Sequence, residues 1–338
     1  MNDAQVNSIQ KDLSHIFKET NDFLSLKNKK IFITGASGYI GKWLLFSFAY
    51  LNNIKGYNID VIATSKNMLD CDIIKYLDTK DKFFFENIDV RNPFDIPSDV
   101  NYVLHLAGCP DRRLHASEPL GIISTNIDGT RNVLNAATRV ESLEKVLVFS
   151  SGLVHGQQYI KENRIEYKPG DTLNFSSSYI DSKRVQENVC HIYSRQYQLP
   201  VSIVRPYSFI GPLQQLNRPW AINNFVKNAL SNKNIKVLGN PNTLKSYIYP
   251  TDMINHILTY LISDNLDTPL ELGAPYSIRL KEIAEIIRDN VKSPISIEYF
   301  DAEAKSVKQD FICDVLNNKN DIQFKDAICR TLDWYRLN

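Results

Sequence analysis

The chain is short of the features that mark several protein classes. Its five cysteines, Cys71, Cys109, Cys190, Cys313 and Cys329, are odd in number, widely spaced and never in a C-x-x-C pair. That pattern speaks against a zinc cluster or a disulfide framework and fits a reducing cytoplasm. Charge of one sign is not in excess, with 39 basic against 38 acidic residues, so no net field draws the chain to nucleic acid or an anionic membrane. No apolar run approaches the roughly 20 residues of a membrane span, and Met1 to Lys30 has no signal-peptide h-region. His15, His105, His115, His191 and His256 are scattered without ligand spacing, so no metal is expected. Internal repeats and low-complexity segments are missing as well.

What is present is enough apolar material, 43% of 338 residues, for a large α/β core. Val6, Ile9, Leu13, Ile16 and Phe17 recur at three- and four-residue steps and predict an amphipathic helix packed on the outside of the domain. Strand-like runs follow at Lys30 to Thr34, Asp60 to Thr64, Lys82 to Asn87, Tyr102 to Ala107, Lys145 to Ser150 and Val201 to Arg205. Helix-like stretches lie between them, among them Gly41 to Leu51, Pro119 to Val140 and Tyr179 to Gln198. This alternation predicts a doubly wound parallel sheet. After Arg205-Pro206 proline and asparagine punctuation increases, and helices are expected from about Arg279 to Asn290 and Lys325 to Arg336. The expected division is a helical extension (1–28), a dinucleotide-binding domain (29–204) and a smaller α/β substrate lobe (205–338), some of whose segments return to the first domain.

The most specific local signal is Gly35-Ala36-Ser37-Gly38-Tyr39-Ile40-Gly41, directly after the run Ile31-Phe32-Ile33 and Thr34. A pyrophosphate needs backbone N–H groups at a helix start, and a Cβ at these glycines would block that approach or the packing of helix on sheet. At the end of the second strand an acidic residue would select NAD through the ribose 2′-hydroxyl; this chain has Ser65-Lys66 instead, which tilts the reading towards NADP over NAD. Asp89-Val90 stands where an aspartate meets the adenine amino group.

Removing hydride from a carbon that bears a hydroxyl also requires a base for the hydroxyl proton. Tyr179-x-x-x-Lys183 supplies a phenol with a cation one helical turn away, and Ser151 stands at a strand end where it can hydrogen-bond the same oxygen. A second Tyr-x-x-x-Lys, Tyr76 to Lys80, has no strand-end serine ahead of it.

Six motifs in order carry a family likeness: Gly35-x-x-Gly38-x-x-Gly41, His105-Leu106-Ala107-Gly108, Asn126-x-x-Gly129-Thr130-x-Asn132, Ser150-Ser151-x-x-Val154-x-Gly156, Tyr179-x-x-x-Lys183 and Arg205-Pro206-x-x-x-x-Gly211-Pro212. Together the set resembles the extended short-chain dehydrogenase/reductase superfamily, and within it the NAD(P)-dependent nucleotide-sugar epimerase/dehydratase family. The resemblance implies a Rossmann-type domain, a Ser151/Tyr179/Lys183 triad and a C-terminal lobe that grips a nucleotide-diphosphate sugar. It places Gly35, Ser37 to Gly41, Ser65, Lys66, Asp89, Val90, Leu106, Ala107, Gly108, Tyr179, Lys183 and Arg205 at the cofactor. Ser151, Gly152, His155, Ser208 and Lys245 fall at the substrate, with Lys245 where the family has an arginine facing the diphosphate. Asn126 becomes a structural polar residue near the site and His105 a packing residue beside the cofactor turn.

Departures narrow the reaction. Gly152-Leu153 stands where the 4,6-dehydratases carry Asp-Glu and the sugar-acid decarboxylases a glutamate. The expectation is therefore an epimerase moving hydride at C4 of a nucleotide-diphosphate hexose, with a 4-keto-sugar reductase using NADPH as the alternative. A 4,6-dehydratase, a non-sugar alcohol dehydrogenase and a non-catalytic dinucleotide-binding protein rank lower. A cytoplasmic homodimer built on the helices at about Pro119 to Val140 and Tyr179 to Gln198 is expected, with no nucleic-acid or membrane partner.

Overall fold

Six runs rich in β-branched and aromatic residues and a short seventh, Leu-Glu-Leu, form one sheet in the computed structural model, which describes all residues except 19–22, 68–70, 78–80, 162–163, 169, 175–176, 304–309, 314–320 and 338. The strands are Lys30–Thr34, Asp60–Ser65, Phe83–Asn87, Tyr102–His105, Lys145–Phe149, Val201–Pro206 and Leu270–Leu272. Numbered along the chain, they lie in the order seventh, sixth, fifth, fourth, first, second, third. Every pairing is parallel. This is the doubly wound order, and it reverses between the first and fourth strands, which opens a crevice at their carboxyl ends. Ile31, Phe32 and Ile33 are each fully buried, as a strand covered on both faces requires.

The helices Tyr39–Lys55 and Pro250–Ile262 cover one face, where Trp43, Leu44 and Phe48 pack with Ile254 and Ile257. The helices Pro119–Ala137 and Ser178–Tyr197 cover the other, where Val133, Leu134 and Cys190 meet Phe32, Val103 and Val148. A separate core of Phe225, Ile283, Ile287, Ile328 and Leu332 holds the C-terminal helices Ala221–Leu230, Leu280–Asp289 and Phe324–Arg336 together.

One feature gives residues to the expected return of a later segment, and a second departs from the sequence expectation. The seventh strand, Leu270–Leu272, comes from the segment expected in the second lobe. The chain thus returns to the first sheet after leaving it. The N-terminal helix Asp3–Ile16 is also more than an outer decoration. A capping box at Asn2 and Gln5 starts it, Ile9, Leu13 and Phe17 enter the main core, and Asp12 accepts hydrogen bonds from Tyr249 Oη (2.6 Å) and Arg330 (3.0 Å). It thereby joins the two cores. Of the second Tyr-x-x-x-Lys, Tyr76 donates to the Met1 carbonyl (3.1 Å), and Lys80 lies outside the described residues.

Candidate active site

The glycine turn is held by contacts that only glycine permits. Gly35 has φ of 70°, and a Cβ there would lie 2.7 Å from the Ala107 nitrogen; at Gly41 it would lie 2.5 Å from the Ala36 carbonyl oxygen. Gly38 begins the helix Tyr39–Lys55 without any side-chain hydrogen bond to its first turn. The N–H groups of that turn are thus left for an anion, and a pyrophosphate fits them. Leu106 N donates to the Thr34 carbonyl (3.1 Å), which sets Leu106, Ala107 and Gly108 beside the turn.

At the end of the neighbouring second strand Ser65 donates to the Asn67 carbonyl, and Lys66 stands 4.0 Å from Asp89. Arg91, absent from the sequence reading, donates to both Asp89 oxygens (2.9 and 2.5 Å), and these hydrogen bonds pull the pKa of that carboxyl down to about 2. The Asp-x-Arg spacing was the signal for it. Val90 supports the same turn by packing against Gly129, where a Cβ would lie 2.7 Å from Val90 Cγ2.

The helix Ser178–Tyr197 presents Tyr179, Ser182, Lys183, Gln186 and Cys190 on its buried face. Lys183 Nζ donates to the Phe149 carbonyl (2.8 Å), which anchors the helix to the end of the fifth strand two residues before Ser151. The Ser151 hydroxyl accepts from Leu153 N (3.2 Å) and interacts with the Tyr179 phenol. The structure thus brings Ser151 to Tyr179 and sets Lys183 on the same buried helix face, tied to the strand end that carries Ser151. Burial pushes the Tyr179 phenol up to about 12, against the lowering pull of Ser151, and pushes the Lys183 amine down to about 8. Asn126 donates to Ser182 Oγ (2.9 Å), while its buried Oδ1 has no hydrogen-bond partner among the described residues.

One neighbour was missed in the sequence. His115, on the short helix Arg112–Ser117, stacks on the Tyr179 ring with centroids 4.2 Å apart and planes at 10°. Its Nε2 donates to the Cys109 carbonyl (2.7 Å), and burial lowers its pKa, which favours the neutral imidazole. An isolated histidine carries no sequence signal for such a stack.

On the substrate side, burial and then Arg112 bring Lys245 down to about 8, and its Nζ lies 5.6 Å from the Phe311 ring centroid. Nearby, the buried Asp111 accepts from Arg113 (2.7 Å) and Arg218 (3.0 Å). Ser208 sits on a two-residue strand beside Tyr247. Two expected ligand contacts are tied up elsewhere. Arg205 is gripped by Glu187 (2.6 and 2.9 Å) and Glu271 (2.9 Å), and His155 Nε2 lies 3.0 Å from the same Glu271. Opposite charge joins Arg205 to the two carboxylates, and a hydrogen bond joins His155 to Glu271. Gly152 packs against Tyr207, where a Cβ would lie 2.6 Å from the ring. Tyr207 Oη donates to Glu271 (2.9 Å). The place of a side chain next to Ser151 is therefore filled.

Residues 31–271 match the NAD dependent epimerase/dehydratase family, and the chain belongs to it. UDP-glucuronic acid decarboxylase 1 of Xenopus tropicalis is 26% identical over 279 residues, 82% of this chain but only 64% of that relative's length. UDP-glucuronic acid decarboxylase 6 of Arabidopsis thaliana is 26% identical over 273 residues, covering 80% of this chain and 77% of the relative. Among solved structures, a UDP-glucuronic acid 4-epimerase variant from Bacillus cereus, in complex with NAD and UDP-4-deoxy-4-fluoro-glucuronic acid, superposes with a TM-score of 0.74 at 20% identity over 91% of this chain and 99% of its own. A dTDP-glucose 4,6-dehydratase from Bacillus anthracis in complex with NAD gives 0.70 at 19% identity, covering 92% and 97%. These structural likenesses establish the shared extended Rossmann fold.

Proposed function

We propose that this chain is an NAD(P)-dependent enzyme that moves a hydride at C4 of a nucleotide-diphosphate hexose, and that it works as an epimerase. The observation that carries the reading is the placement of Tyr179, Ser151 and Lys183 at the carboxyl end of the sheet, with Lys183 fixed to the Phe149 carbonyl. A bound nicotinamide supplies the hydride acceptor and donor. Gly35, Ser37 to Gly41 and Leu106 to Gly108 would hold its dinucleotide, and Ser65, Lys66, Asp89 and Arg91 surround the ribose end.

In this reading Tyr179 takes the C4 hydroxyl proton as the hydride leaves and returns it to the keto oxygen when the hydride comes back. With its pKa raised to about 12, the phenol alone stays protonated at neutral pH and offers almost no phenolate to act as base. The Lys183 ammonium one turn away favours the phenolate, and Ser151 donates to the substrate oxygen and holds it in line. Lys245 would neutralise the diphosphate, though without the bidentate fork of an arginine.

The relatives whose names specify UDP-glucuronic acid make a nucleotide-linked sugar acid a substrate to try first. The packing of Tyr207 on Gly152 supports epimerisation over dehydration and over a decarboxylation assisted from that position, because no acid side chain fits there. The chain's division into a dinucleotide domain and a substrate lobe, with Leu270–Leu272 returned to the former, belongs to the same reading. So does a homodimer through the helices Pro119–Ala137 and Ser178–Tyr197, whose Leu120, Val185 and Ile192 are exposed.

A panel of UDP-, dTDP-, GDP- and CDP-linked hexoses, uronic acids and 4-keto sugars, each with NAD, NADP and NADPH, tests the proposal. Sugar interconversion without net change in nicotinamide absorbance is expected. Stoichiometric NADPH consumption on 4-keto sugars would replace the epimerase with the reductase, and a panel without turnover would remove the sugar reading.

A further inference from the structure

Behind Lys183 runs a buried chain of polar groups that the reaction scheme does not use. Lys183 Nζ donates to Gln186 Oε1 (2.8 Å), and Gln186 Nε2 donates to Thr130 Oγ1 (2.7 Å). The Thr130 hydroxyl has one hydrogen, which goes to the Asn126 carbonyl (2.7 Å), because a carbonyl can only accept. Thr130 Oγ1 must then accept from His105 Nε2 as well (3.0 Å), which leaves His105 Nδ1 to accept from Thr34 Oγ1 (2.7 Å). Thr34 precedes the glycine turn. Gln186, Thr130, His105 and Thr34 are all completely buried, and Lys183 is 3% exposed. The direction of each of these hydrogen bonds follows from the ammonium that can only donate and the carbonyl that can only accept.

We propose that Gln186 is a positioning residue of this active site: it fixes the Lys183 ammonium at the end of a one-directional hydrogen-bonded chain that reaches the cofactor turn and holds His105 as the neutral Nε2–H tautomer. The inference rests on reading Lys183 as the partner of Tyr179. Two of the three ammonium hydrogens are committed, to the Phe149 carbonyl and to Gln186, so the direction of the third is set. A Cβ added at Gly108 would lie 3.4 Å from Lys183 Nζ and 3.6 Å from the unpartnered Asn126 Oδ1, so both atoms face the space beside Gly108. A glutamine suits the position because it accepts from the cation on one side and donates to the threonine on the other. Leucine does neither, and glutamate cannot donate to Thr130. The groups that act on Lys183 from around it are Glu187 and Cys190 on its own helix, while the charge of Lys183 in turn opposes protonation of His105 on the fourth strand.

Two measurements on the whole chain test this without any substrate. In protein labelled at lysine and histidine, the Lys183 signal is identified by its loss in Lys183→Met and titrated by NMR. In Gln186→Leu its midpoint is expected to fall by about one pH unit, the loss of one hydrogen bond to a charged group. An unchanged midpoint in a folded variant overturns the positioning role. Should Gln186→Leu not fold, the wild-type His105 ring decides. It is expected to show a proton on Nε2 and no titration between pH 5 and 8; a proton on Nδ1, or titration near the ordinary histidine value, overturns the proposal. Failure of the sugar panel with these outcomes intact would count against the function and not against the chain of hydrogen bonds.

Discussion

The two sides of the crevice are built differently. On the cofactor side the determining contacts are between backbone and glycine: Gly35 against Ala107, Gly41 against Ala36, and a helix start left without a side-chain cap. On the substrate side they are between charged or aromatic side chains from distant segments: Asp111 with Arg218, Arg205 with Glu187 and Glu271, and Tyr207 on Gly152. A backbone cradle suits a ligand part that does not vary, and a set of side chains is open to change, so in the proposed function the first side serves a shared cofactor and the second a particular substrate.

The strongest way to break this contrast is Gly35→Val. A positive φ together with a Cβ against backbone atoms gives the side chain no room to move. A destabilisation of at least about 3 kcal/mol is expected by chemical denaturation. An unaltered unfolding midpoint with dinucleotide binding retained would show that the turn is not the cradle described.

Tyr179→Phe comes next. It keeps the stack on His115 and loses only the hydroxyl, so turnover should fall roughly 10²- to 10⁴-fold with stability changed by about 1 kcal/mol or less. A wild-type rate would return the site to a binding role.

On the other side, Lys245→Gln should weaken binding of a nucleoside diphosphate by roughly 10- to 100-fold, the worth of a hydrogen bond to a charged group. Titration calorimetry with UDP and dTDP measures it, and an affinity within twofold of wild type would move the diphosphate away from Lys245.

The smallest effect compares the two regions by pH. Burial holds His105 in the sheet down to about 3, against 6.5 unfolded, so its contribution to stability is complete above 6.5 and is lost as pH falls towards 3. Burial holds Asp252 in the C-terminal part up to about 6, against 3.8, so its contribution is complete below 3.8 and is lost as pH rises through 6. Asp252→Asn should therefore raise the melting temperature at pH 7 relative to pH 4, when each is compared with the wild type. An equal change at both pH values would remove Asp252 from the pH response.

Much of the cofactor side was legible before the fold was seen. The alternating strands and helices, the glycine spacing and Tyr179-x-x-x-Lys183 concern residues within one or two turns of each other, and periodicity records such neighbours directly. Ser151 was legible because a strand end and a helix start are both visible in the pattern. The seventh strand was not, since Leu270–Leu272 is three residues long and pairs with a strand 66 residues earlier in register. Neither was the engagement of Arg205 and His155 by Glu271, because nothing local to either residue says which carboxylate will approach it.

By itself, then, the sequence determined the doubly wound class, the glycine turn at the start of a helix and the spacing of phenol and ammonium, all of which follow from local backbone geometry. The tertiary structure alone decided that His115 lies on Tyr179, that Tyr207 fills the place beside Gly152, and that Gln186 joins Lys183 to Thr130 and His105. Those partners come from separate elements, and a buried polar group takes whichever complementary group the packing delivers to it.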